Sequence, residues 1–142
     1  MITYENMVDR VMDGVSDILI TEFPGIQIAF DKTRPNTFLL TPEGDNLLQL
    51  LSGGQLREYT LTITHELNIG SMDNRNGIKA VANIAERIKR LFAPDNNSSY
   101  SPSNTYKWHG GQILSCEYER DEDNPDIMRV LITFSCEILE HN

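Results

Sequence analysis

Cysteine is scarce in this chain, with only Cys116 and Cys136 in 142 residues. One pair is no disulfide framework, so the fold must be held by its core. The simplest reading is two small buried hydrophobes in a reducing compartment, with a cross-strand disulfide as the alternative. Positive charge is scarce as well: 12 Lys and Arg stand against 21 Asp and Glu, for a net charge of −9. Gripping nucleic acid by phosphate neutralisation needs Lys and Arg, so this composition argues against it. There is no basic run, and the densest cluster is Lys79, Arg87, Lys89 and Arg90. Nor is there an apolar run near the roughly 20 residues of a membrane span. Met1-Ile2-Thr3-Tyr4-Glu5-Asn6 offers no basic stretch leading into an apolar one. The expectation is a chain made in a cytoplasm without an export signal of its own and with no membrane partner. Gly53-Gly54 and Gly110-Gly111 match neither a Walker loop nor a dinucleotide fingerprint.

What is present is ordinary globular material, 39% hydrophobic and 23% charged. A chain of this length buries about two-thirds of its unfolded surface, enough for one domain over residues 1–142 without staples. Its firmest signal is a C-terminal pair of strands, Gln112–Arg120 and Ile127–Leu139, around the acidic turn Asp121–Asp126. Met128, Val130, Ile132, Phe134, Cys136 and Ile138 alternate with Arg129, Thr133, Ser135 and Glu137. Alternation of period two marks a half-buried strand, because successive side chains point to opposite faces. A turn carrying Asn-Pro ends both strands. Arg57–Asn68 reads the same way, with Tyr59, Leu61, Ile63, His65 and Leu67 against Thr60, Thr62, Thr64 and Glu66. Its β-branched residues reinforce the pattern.

Two helices are expected. Met7, Val8, Val11, Met12, Val15, Ile18 and Leu19 recur at helical spacing over residues 4–22, with Thr3 as N-cap and Pro24-Gly25 as the stop. Ile78, Val81, Ala82, Ala85, Ile88, Leu91 and Phe92 form a second stripe, capped by Asp73 or Asn76. Ile26, Ile28 and Phe30 suggest a short strand. From Asp31 to Gln55 turn-forming pieces interrupt two apolar clusters, Phe38-Leu39-Leu40 and Leu47-Leu48-Gln49-Leu50-Leu51. This segment reads as a long irregular loop, a type that commonly carries function, although its leucines could equally fold back on their own core. Residues 95–107, rich in Ser and Asn, read as a mobile surface loop. The expected architecture is α+β: one mainly antiparallel sheet, two amphipathic helices on one face, and the long loop.

The sequence offers little to a chemical mechanism. His65, His109 and His141 are far apart, and His65 falls on the apolar face of a strand. His109 and Cys116 make a poor nucleophile pair, since Cys116 is placed inside a strand with no oxyanion element beside it. The carboxylates of Asp121, Glu122, Asp123 and Asp126 lack the spacing of an EF-hand loop and read as a solvated hairpin tip. No residue set here calls for a catalytic role, a cofactor or a metal.

The second half of the chain nevertheless has a recognisable order. The amphipathic helix Ile78–Leu91 leads through a polar loop to Trp108-His109-Gly110-Gly111-Gln112-Ile113-Leu114. A strand ending Glu117-Tyr118-Glu119 follows, then an acidic turn and Met128-Arg129-Val130-Leu131-Ile132-Thr133-Phe134. This resembles the tail terminator (tail completion) proteins of long-tailed bacteriophages. The long first helix and Tyr59-Thr60-Leu61-Thr62-Ile63 fit the same order, whereas Asp31–Gln55 has no counterpart. The resemblance implies a structural virion protein at the tail–neck junction: a small α+β subunit forming a homo-oligomeric ring, typically hexameric, at the head-proximal end of the tail tube. Its implied partners are further copies of itself, the tail tube protein and a neck or head-completion protein. DNA would pass through without specific binding. On this reading Phe38, Leu39, Leu40, Leu47, Leu48, Leu50 and Leu51 would meet an adjacent subunit or the tube. Acidity would keep phosphates from adhering to the bore, or would simply confer solubility. A neck or head–tail connector subunit and a small cytoplasmic binding module are the alternatives.

Overall fold

A computed structural model describes residues 1–141. Helix α1 (Met7–Glu22) buries Met7, Val11, Val15, Ile18 and Leu19. It begins a turn later than its apolar spacing suggests, and its cap is Asn6 rather than Thr3: the Asn6 side chain accepts from the Asp9 N–H at 3.2 Å. Asn outranks Thr at that position. Gly25, at φ +95°, turns the chain into the short strand β1 (Gln27–Ala29).

The long irregular loop expected over Asp31–Gln55 is not one. It holds strand β2 (Thr37–Leu51), which turns at Ser52-Gly53 into strand β3 (Gly54–Asn68). Pro42 and Gly44 are breakers in most contexts. Here the register shifts between Pro42 and Gly44, and again between Leu47 and Gln49, so each irregularity is absorbed as a bulge. Proline is tolerated because β2 pairs with β1 only at Thr37–Leu39, and beyond that its outer side is a free edge.

Helix α2 (Asn74–Leu91) is capped by Asp73, which accepts the Asn76 N–H at 2.9 Å. Strands β4 (Trp108–Arg120) and β5 (Ile127–His141) complete the sheet in the order β1-β2-β3-β5-β4. Every pairing is antiparallel except β1 with β2. The fold is α+β, with both helices on one face of the sheet. The register explains why that face is apolar. Phe38, His65 and Val130 align across three strands, as do Leu40, Ile63 and Ile132, and then Leu61 with Phe134. All are buried, together with Val81, Ala85 and Ile88 from α2.

The Asp95–Lys107 segment, expected to float, is seated on the body. The Asn96 and Asn97 side chains donate to the carbonyls of Arg90 and Leu91 at 2.7 and 3.0 Å, supplying partners to the open C-terminal end of α2. Tyr100 exchanges backbone hydrogen bonds with Trp108 and packs its ring against the indole at a tilt of 41°, with centroids 5.0 Å apart. Trp108 is fully buried, and α1 passes it at Gly14, where a Cβ would stand 2.7 Å from the indole Cζ3. Only glycine lets the helix come that close.

Candidate assembly surface

Strands β2 and β3 are 15 residues each, so the hairpin runs about 50 Å at the usual rise, against about 35–40 Å for the width of a body this size. β5 pairs with β3 to its very end, Gly54 against His141, and β4 reaches Ile138 opposite Arg57, so only the hairpin tip beyond Arg57 extends past the four-stranded sheet. Val8, Val11 and Met12 of α1 reach as far as Pro42, Gly44, Tyr59 and Leu61, and the hairpin arm continues beyond them. On the helix side of the arm a polar cluster takes the place of helix packing. Arg57 meets Asp45 at 2.7 Å, and the Tyr59 hydroxyl donates to Glu140 at 2.6 Å. Burial, then the Glu140 carboxylate, push the Tyr59 pKa upward, so the hydroxyl remains a donor.

Around this cluster stand leucines that the subunit does not cover. Leu47 and Leu48 are each 45% exposed and Leu50 is 73% exposed; Leu51 and Leu139 are also open. The seven apolar residues singled out in the sequence thus divide in two. Phe38 and Leu40 are buried against Phe23, His65 and the sheet, and Leu39 is half-buried. Phe38 and Leu40 belong to the core because they sit under α1, on the helix side of β2, and are withdrawn from the candidate surface. Leu47, Leu48, Leu50 and Leu51 lie past the end of α1 and remain.

The sheet also has two bare margins. Among the described residues nothing pairs with the outer side of β2 from Leu40 to Leu51. On β4, the Ser98–Tyr100 backbone covers Trp108 and Gly111, with bonds of 2.8 and 3.2 Å, leaving Gln112–Arg120 open. Edges of this length are ready templates for another strand, and natural monomers usually blunt them.

The face turned away from the helices mixes polar residues with a few leucines, Leu56, Leu131 and Leu139 among them. By register it carries Thr60, Thr62, Thr64, Thr133 and Ser135, with Glu58, Glu66, Glu117, Glu119 and Glu137. Arg129 is the one Arg or Lys among its strand residues. It meets Asp121 at 2.7 Å, Glu119 at 3.4 Å and the buried Glu66 at 3.5 Å. Asp121 also accepts the N–H groups of Asp123 and Asn124, at 2.9 and 3.0 Å. The Arg129 guanidinium first, then these N–H groups, hold the Asp121 carboxyl below its usual range. Glu58 and Glu137 face each other directly with no cation between them, an arrangement that costs stability.

The remaining candidates are dispersed. His65 is buried beside Phe38, and its Nδ1 lies 3.2 Å from the Thr37 carbonyl; burial lowers its pKa and favours the neutral ring. His109 and Cys116 sit about 20 Å apart along β4 at the usual strand rise. Both cysteines are free, since Cys116 aligns with Ile132, several positions from Cys136. Among the described residues no three metal-ligating side chains converge, and no helix is long and apolar enough to cross a membrane. Strand β2 and its turn into β3 are what the sequence pattern missed. A signal was present in Leu47-Leu48-Gln49-Leu50-Leu51 bounded by Gly53, a leucine-rich strand ending in a glycine turn.

Comparison with known protein families and with curated proteins finds no match for this chain.

Proposed function

We propose that this chain is the repeating subunit of a structural ring, the tail terminator that closes the head-proximal end of a phage tail tube and joins it to the neck. The observation carrying this reading is a run of exposed leucines on the β2 edge together with a sheet left open at both margins. A lone particle gains nothing from either feature, and each is an aggregation liability unless another chain covers it. A closed ring covers both, because rotation presents one margin of each subunit to the other margin of the next.

The acidic open face supports the same reading. Turned toward the axis, its glutamates would repel the phosphates of DNA passing through, so the polymer could slide without being held. The Glu58–Glu137 pair, a standing cost to the isolated subunit, is then a feature of the bore wall.

Mass determination by light scattering, with negative-stain imaging, tests the proposal. A closed annulus is expected, either alone at high concentration or on the end of the cognate tail tube. A chain that stays single in both conditions refutes it.

A further inference from the structure

The two bare margins match in direction. Across β2-β3-β5-β4 every neighbour is antiparallel, so β2 and β4 run in opposite senses. A second copy related by rotation about a ring axis therefore presents its β2 to β4 as an antiparallel partner, with neither subunit turned over. Joining a margin to its own copy is also antiparallel, but it consumes one margin and stops at two chains.

Side chains discriminate between these arrangements. On the helix side, the β4 margin borders a cleft of about 380 Å³, between Glu86 and Lys89 of α2 and Ile113, Leu114, Cys116 and Tyr118 of β4. Leu114 stands at a bulge and is 55% exposed. On β2, Leu47 aligns with Arg57 and Leu50 with Gln55, positions that alternate in step with Tyr59 on the helix side. In a continued sheet, side chains on the same side become neighbours. The margins also suit each other in charge. Glu117 and Glu119 lie along β4, whereas Asn46–Leu51 carries no charge at all. A β4 margin paired with its own copy would instead bring acid against acid.

Resting on the ring reading, we infer that segment Asn46–Leu51 of one copy adds as a strand to Gln112–Arg120 of the next, with Leu47 and Leu50 seated in the α2–β4 cleft. The interface is heterologous and makes one continuous sheet around the annulus.

Two full-length variants test it, Leu50→Lys on the arm and Leu114→Lys at the cleft. Both positions are exposed, so each chain is expected to keep its fold, checked by circular dichroism and thermal melting. Each alone should associate at least about tenfold more weakly than wild type, the scale of one leucine's burial. An equimolar mixture should form two-chain particles, because the intact arm of one variant meets the intact cleft of the other. Leu50→Cys should also crosslink to the native Cys116 of a neighbour on mild oxidation of the assembled ring. If wild type forms rings while the variants assemble equally well, the mixture stays single, or no crosslink forms, this inference fails and the ring reading stands. If wild type never assembles, alone or with a tail tube, both fail.

Discussion

Replacing Gly14 by alanine sets two effects of opposite sign against each other. In an open helix the exchange stabilises by about 1 kcal/mol, because glycine loses more backbone freedom on folding. At Gly14 the added methyl would lie 2.7 Å from Trp108 Cζ3, 3.1 Å from Trp108 Cη2 and 3.1 Å from Pro102 Cβ. The indole cannot swing aside. It is buried, stacked edge-on against Phe134 at 5.4 Å, and its Nε1 donates to the Asn97 carbonyl at 3.1 Å. Overpacking of a fixed core costs roughly 1–3 kcal/mol, and an approach of 2.7 Å puts this site in the upper part of that range, about 2–3 kcal/mol, so the net expectation for Gly14→Ala is about 1–2 kcal/mol of destabilisation. For a chain of this length that lowers Tm by about 3–6 °C. Urea unfolding with an unchanged m-value supplies the free energy, and calorimetry supplies Tm. In a Trp108→Phe background the outer atoms of the indole are gone, and much of the penalty should vanish. A Gly14→Ala protein as stable as wild type would refute the reasoning, showing that the helix–indole approach is soft.

Glu58→Lys should raise stability by about 0.2–1 kcal/mol by replacing a cross-strand repulsion with an attraction, visible as a higher denaturation midpoint. His65 is held below its ordinary pKa by burial, so the unfolded chain takes up the proton first. The stability it contributes is full above about pH 6.5 and is lost as pH falls from there toward its folded value; a His65→Leu protein should show a flatter unfolding curve over that window. Asp121 is also depressed, so its contribution is present above its unfolded value near 3.8 and is lost as pH falls through the lower folded value. Acid titration of Asp121→Asn, followed by circular dichroism, should show a shallower loss below pH 4.

Much of this fold can be read directly from residue order. Where a strand or helix buries one face and wets the other, the period survives. Tyr59 to Leu67, Met128 to Ile138 and the stripe from Val81 to Phe92 lie where their spacing puts them, whereas Ile78 at the head of that stripe is exposed. Strand β2 was illegible for a physical reason. Its outer half is open to solvent on both faces, so burial imposes no alternation on Leu47-Leu48-Gln49-Leu50-Leu51. Two bulges then shift the phase of whatever pattern is left, and Pro42 and Gly44 mimic a chain reversal. The Asp95–Lys107 loop misled differently, because Tyr100 and two asparagines anchor it through contacts that composition does not register. Within the leucine clusters, the division between core and surface depended on where α1 begins. That boundary was set by Asn6.

In the sheet β5 lies between β3 and β4, although it comes after both in the chain. It pairs with β3 on one flank and, among the described residues, is the one strand that fastens β4 on the other. During synthesis β5 must therefore emerge before β4 and its outer margin acquire a fixed place. A chain cut short of β5 would leave β4 without its sheet partner, and the second margin of the sheet would not form.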